Sequence, residues 1–252
     1  MPFIILLERK FLNIKMNSYY FLKEIVSSDK LTDIVGFSHS LVPKKQLHQF
    51  ETLYIDLTKK ENELFQDLHR TNRKQIKKGA GHHFHIEVLE KPSISDIRAF
   101  QEFYNQFATF ANTYTCNSFH VNTMNMLKDK NGLVITKVLN EENEVLCYRV
   151  YISDGNIACC LYSASHFRMK EKTEEKRLLS EANRFLIWRN ILYFKSKNHT
   201  IFDMGGLTTN PNIRSFKMEF GGEIAHVYSG YEANSKLGQL ILWLRAKKMR
   251  KG

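Results

Sequence analysis

The chain has 252 residues, 43% of them hydrophobic, which is enough to bury a substantial core as one or two domains. Lys and Arg outnumber Asp and Glu 37 to 26, for a formal charge of +11, and 12% of residues are aromatic with only four prolines. That composition excludes a disordered chain and favours anionic partners: RNA, a coenzyme or carrier phosphate, or an acidic membrane surface.

The four cysteines, Cys116, Cys147, Cys159 and Cys160, form no C-x-x-C pair and read as reduced, mostly buried thiols of a cytoplasmic protein. The apolar run 3–7 is too short to span a membrane, and Glu8, Arg9 and Lys10 follow it in the wrong order for a signal peptide. Met16 is an alternative start, in which case the first 15 residues carry little meaning.

In chain order, the apolar runs 19–26, 34–37 and 53–57 predict strands joined by loops. Thr58 and Glu61 fit a capping box that opens a helix, with Leu64, Phe65, Leu68 and Ile76 as its apolar stripe and Gly79 and Gly81 as its end. His69, Arg70, Arg73, Lys74, Lys77 and Lys78 crowd its second half; cations suit a helix C-terminus, so part of that cluster needs no ligand. Residues 84–90 alternate apolar and polar as a half-buried strand does. Helices are expected over 94–112 and 118–130, then strands over 133–139, 145–153 and 156–164, the last two joined by an Asp154-Gly155 turn. A long helix starts after Thr173, with Glu174 and Glu175 in its first turn, and runs to about Asn198. A strand (200–204), a short helix (212–220), a strand (224–231) and a basic amphipathic helix ending in Lys247, Lys248, Arg250 and Lys251 complete the chain.

Candidate chemistry concentrates between residues 199 and 224. The strand 200–204 carries one acid, Asp203, and breaks at Gly205-Gly206; the short helix carries Arg214, Phe216 and Lys217 and ends at Gly221-Gly222. Glycine pairs let a backbone take positive φ or approach another group closely. Here they bracket a carboxylate and two cations. Asp203 is a candidate base for an incoming ammonium, or a cap for the turn that follows it. Lys217 is either a functional ammonium or an exposed helix lysine. Tyr162, late in the strand before the long helix, is a candidate proton donor or a packed tyrosine. His82, His83 and His85 have no cysteine nearby, and no metal site is expected of them.

The segments TLYIDL (52–57), LHRTNRKQIKKG (68–79), ANRFLIWRNILYFKSKN (182–198), FDMGGL (202–207) and RSFKMEFGGE (214–223) occur in this order. Together they resemble the FemAB-like (FemABX) branch of the GNAT acyltransferase superfamily, the peptidoglycan interpeptide-bridge enzymes and their relatives, over roughly residues 40–230. The FK-x-x-FGG element (216–222) is the most specific part. The resemblance implies an α/β (α+β) fold of the GNAT-like acyl-CoA N-acyltransferase type, a mixed splayed sheet flanked by helices. It implies a reduced N-terminal unit over 1–80, holding the basic helix, and a complete acyltransferase domain over 81–252.

The implied enzyme is a cytoplasmic acyltransferase of peptidoglycan or surface-polysaccharide biosynthesis, with no permanently bound cofactor and no metal. Its donor would be an aminoacyl-tRNA, or an acyl-CoA or acyl carrier, and its acceptor a primary amine of an envelope precursor, with peripheral contact to an acidic membrane surface. Acylation of a nucleotide-linked amino-sugar is the alternative, and a basic RNA-binding module without catalysis ranks third. Lys217, Asp203 and Tyr162 are the implied catalytic residues, and Phe216 and Arg73 the substrate contacts. The glycine loop of acetyl-CoA-dependent GNAT enzymes is missing from 163–177, which leaves the side chains of Arg168 and Lys170, with Arg214, for donor phosphates.

Overall fold

The computed structural model describes residues 3–24 and 31–249. Val26 of the first predicted strand run, the tail residues Arg250 and Lys251, and the side chain of Lys248 lie outside the described residues. The chain runs β1 (Ile5–Phe11), β2 (Ile14–Tyr20), β3 (Ile34–Ser40), β4 (Leu47–Asp56), α1 (Glu61–Asp67), α2 (Arg70–Gly81) and β5 (His85–Leu89). It continues through α3 (Ile94–Phe110), α4 (Ser118–Asp129), β6 (Leu133–Leu139), β7 (Val145–Ser153), β8 (Ile157–Ser165) and a 3-10 turn (His166–Met169). The last elements are α5 (Thr173–Ser196), β9 (Ile201–Gly206), α6 (Pro211–Met218), β10 (Glu223–Ala233) and α7 (Lys236–Met249).

Two compact units make up the chain: Leu53–Glu223, and the described residues before Leu53 together with those from Ile224 on. The sequence reading set one boundary, after residue 80. Strand pairing explains the different division, because β10 pairs antiparallel with β3 (Tyr231 opposite Gly36, Glu232 opposite Val35) and so joins the end of the chain to its beginning. In this unit β1 pairs antiparallel with β2, and β2 parallel with β3. Ile5 and Leu7 of β1 are fully buried, so the segment before Met16 contributes to a core.

In the unit Leu53–Glu223 the strand order is β4-β9-β8-β7-β6-β5. Strands β5 to β8 are antiparallel neighbours. β9 lies parallel to β8, with α5 as the crossover between them. Alternation along β7 gives each face its helix. Tyr148 packs on Phe100 and Phe103 of α3, whereas Tyr151 packs on Phe194 of α5 and accepts a hydrogen bond from Asn190 at 2.9 Å. The register sets Cys159 opposite Ile152 and Cys160 opposite Tyr151, which turns the two thiols to opposite faces, and all four cysteines are free.

The helix expected over 59–79 is two helices. Thr58 bonds back to Asp56 instead of opening a helix, and α1 is capped at its start by the Lys60 N–H donating to Glu63 at 2.7 Å. The chain breaks at Leu68-His69. There the His69 ring accepts the Thr71 N–H at 3.3 Å to start α2, and Arg73 donates to the carbonyls of Gln66 (2.7 Å) and Leu68 (2.8 Å) to finish α1. No helix among the described residues is long and apolar enough to cross a membrane.

Candidate active site

β8 and β9 pair over only three positions, from Ile157 opposite Ile201 to Cys159 opposite Asp203, although β8 runs on to Ser165 and β9 to Gly206. Past Asp203 this pairing ends, and Gly205 meets the backbone of Cys160 outside the ladder. Gly205 has φ +76°, and a Cβ there would lie 2.6 Å from the Cys160 carbonyl, so this turn excludes other residues. The Asp203 carboxylate accepts the Gly205 N–H at 2.8 Å and fixes the turn.

The carbonyls of Gly205 and Gly206, past the paired stretch, accept hydrogen bonds from the Lys217 ammonium at 3.0 and 2.8 Å. α6 brings the lysine back to β9. It begins with Pro211 and an Asn210 cap that accepts the N–H groups of Asn212 (3.0 Å) and Ile213 (3.3 Å). It is followed by Gly221 and Gly222 at φ +76° and +95°, where a Cβ on Gly222 would collide with the Tyr54 carbonyl. The glycines of FK-x-x-FGG are therefore backbone requirements of the return.

Lys217 is half-buried, and burial, with the Arg149 guanidinium, lowers its pKa from the ordinary lysine range against the pull of Cys160 and Asp203. Arg149 is 4% exposed; it donates to the Asn183 side-chain oxygen at 2.9 Å and to Cys160 Sγ at 3.6 Å, and its Nε has no hydrogen-bond partner. Among the described residues neither Arg149 nor Lys217 makes an ion pair with a carboxylate. A buried arginine and a half-buried lysine, held by carbonyls, an amide and a thiol, with Asp203 near but not ion-paired to either, are costly for the fold alone. The arrangement suits an anion or a developing negative charge. Burial, then the charge of Asp203, raises the pKa of both Cys159 and Tyr54, so both stay neutral, and the Tyr54 hydroxyl is a buried polar atom without a hydrogen-bond partner.

Of the residues singled out in sequence, the fold brings Lys217 and Asp203 together at the Gly205-Gly206 turn. The Tyr162 ring lies against Phe100 (5.6 Å) and Tyr104 (5.3 Å) of α3 and His120 (6.3 Å) of α4. Arg168 and Lys170 are exposed in and just after the 3-10 turn, and Arg214 is half-buried on α6. Phe216 lies under the Arg184 guanidinium at 4.9 Å, and Arg73 is occupied by the α1 carbonyls. Lys217 is not the exposed lysine of the simpler reading, because the β9 carbonyls need it. Arg149, Asn183 and Tyr54 carry no site role in the sequence reading, and Cys160 is read there only as a buried thiol. A lone cation inside the apolar run VLCYRVYIS was the available signal, since Arg is rarely buried without a reason.

A second polar cluster lies between α2 and α5. An open groove of about 580 Å³ is lined by Lys78, His82, Glu174, Arg177 and Glu181 among others. The buried Glu181 carboxylate is met by His82 at 2.9 Å, Arg177 at 3.1 Å and Lys78 at 3.8 Å. Burial opposes its ionisation, but the bonds from His82 and Arg177 prevail and hold its pKa below the usual glutamate value.

No family model matches the chain, and no curated protein matches it by sequence. Solved structures do. FemX superposes with a TM-score of 0.63 at 13% identity, over 94% of this chain and 86% of its own. The C-terminal domain of a putative lysylphosphatidylglycerol synthetase from Agrobacterium fabrum gives 0.54 at 10% identity, over 98% and 88%. L-PGS from Bacillus licheniformis gives 0.52 at 12%, over 96% and 84%. At these identities the likeness is one of fold, a mixed sheet flanked by helices, and it agrees with the fold that the ordered sequence motifs implied.

Proposed function

We propose that the chain is an acyltransferase of FemX type, transferring an aminoacyl or acyl group from an anionic donor to a primary amine of a cell-envelope precursor. The observation that carries this reading is the half-buried Lys217 ammonium, held by two β9 carbonyls just past the end of the β8–β9 pairing, near the buried cation Arg149. In such a transfer the amine nitrogen bonds to the donor carbonyl carbon and the carbonyl oxygen becomes an oxyanion. Collapse of that intermediate forms the amide and expels the donor's ribose hydroxyl or thiol, which takes up the proton the nitrogen loses.

An ammonium has three N–H donors, and Gly205 and Gly206 occupy two, which leaves one for the oxyanion. A fixed donor of this kind contributes a rate factor of roughly 10²–10³. Arg149 is a positioning residue that raises the positive potential around Lys217. Asp203 positions Lys217 by holding the Gly205 turn. Tyr162 packs with α3 and α4 and takes no step.

FemX and the lysylphosphatidylglycerol synthetases as fold neighbours support an aminoacyl donor, and the +11 charge suits tRNA. The test is transfer by the purified chain from labelled aminoacyl-tRNA or acyl-CoA to a nucleotide-linked muramyl peptide or amino-sugar. We expect transfer from charged tRNA that weakens steeply with salt, because many phosphates are neutralised. Salt-tolerant transfer from acyl-CoA alone would replace the donor and keep the chemistry. Transfer from none of these donors to either acceptor overturns the proposal.

A further inference from the structure

Helix α7 has an inner face that packs within its own unit. Gly238 is buried against the Asp33 carbonyl, Ile241 and Leu242 are half-buried, and Arg245 stacks over the Tyr231 ring at 4.5 Å. At about 100° per residue, Leu237, Leu240, Trp243 and Leu244 fall together on the opposite arc. They are 45%, 52%, 57% and 52% exposed. Exposed Lys236 shares that arc, and Lys247 stands 5.3 Å over the Trp243 ring. Scattered surface leucines are ordinary, but a contiguous strip of four large apolar side chains marks an interaction surface.

Charge selects the occupant. Residues 234–252 contain Lys236, Arg245, Lys247, Lys248, Arg250 and Lys251 and no Asp or Glu. A two-fold pairing of this face with a second copy would set that basic strip against itself. An acidic bilayer matches both features, since it takes the apolar strip at the headgroup boundary and attracts the flanking cations. We propose that α7 is an interfacial helix that seats the protein on anionic phospholipid membranes, with Leu237, Leu240, Trp243 and Leu244 inserted. This inference stands apart from the transfer chemistry above.

The chain's two tryptophans make the test specific, because Trp188 is 7% exposed and Trp243 57%. The intact protein is titrated with vesicles of phosphatidylcholine alone or of equal parts phosphatidylcholine and phosphatidylglycerol, followed by sedimentation and tryptophan emission. We expect binding to the anionic vesicles only, with a blue shift that Trp243→Ala removes. Leu240→Ala with Trp243→Ala should weaken binding at least about tenfold, and Lys247→Gln about fivefold. These side chains are exposed, so unchanged melting curves will show that the variants fold. Absence of vesicle binding, or equal binding to phosphatidylcholine alone, overturns the inference. So does a dimer in lipid-free buffer that Leu240→Lys dissolves, which would give the strip to a second copy.

Discussion

Two charged clusters lie against α5, one around Glu181 and the other around Arg149, which reaches Asn183 two residues further along the helix. The first is matched: one buried carboxylate meets His82, Arg177 and Lys78. The second has no ion pair: buried Arg149 and half-buried Lys217 lie near each other, and neither pairs with a carboxylate among the described residues, although the charge of buried Asp203 acts on Lys217. Burial of ions without partners costs several kcal/mol and persists only where something other than stability maintains it. Ion-paired charge therefore marks the cluster that holds α2 on α5, and the cluster without ion pairs is the one we propose meets the substrate.

Replacement of Lys217 should separate the clusters most sharply. Lys217→Met removes the ammonium and keeps the apolar stem, and turnover should fall roughly 10²–10³-fold. The Gly205 and Gly206 carbonyls lose their donor in the same variant, so unfolding free energy should also drop, by about 1–3 kcal/mol. Turnover and denaturant unfolding must be measured together, and wild-type turnover in a folded variant would remove Lys217 from the chemistry. Arg149→Met comes next, with turnover down about tenfold, the effect of one tenth of a rate expected from ~1.4 kcal/mol of lost stabilisation. Its stability should change by less than about 1 kcal/mol, because lost hydrogen bonds are offset by relief of a buried charge. Glu181→Gln should show the reverse pattern, a stability loss of about 1–2 kcal/mol at unchanged turnover, since its cations stay partly solvated. If Arg149→Met destabilises and Glu181→Gln inactivates, the assignment of the two clusters is inverted.

Much of this contrast was legible in the sequence, and the remainder was hidden for physical reasons. The strands over 133–139, 145–153 and the long helix after Thr173 follow from hydrophobic period and turn residues, and the structure places them where that pattern does. The turn that ends β9 follows from the Gly205-Gly206 pair. The break at Leu68-His69 was not legible, because it depends on an imidazole cap and on an arginine reaching two carbonyls, neither of which has a periodic signature. The division of the chain was not legible either, since β3 and β10 lie nearly 200 residues apart and only pairing unites them. Arg149 illustrates the same limit: sequence shows a cation in an apolar strand but cannot show that no carboxylate meets it.

The smallest expected effect tests the matched cluster by pH. The pKa of Glu181 in the folded chain lies below its ordinary value of 4.5, because His82 and Arg177 hold the ionised form against burial. A carboxyl with a lowered folded pKa binds fewer protons folded than unfolded. Its stabilisation is therefore complete above the ordinary value and is lost as pH falls through the folded one. Wild type and Glu181→Gln should differ in melting temperature by a constant amount near neutrality, and the gap should close below about pH 4.5 as the wild-type carboxyl takes up its proton. A gap that stays open into acid would mean that Glu181 stabilises by shape and hydrogen bonding rather than by charge, and the difference between matched and unmatched clusters would then have to rest on Arg149 alone.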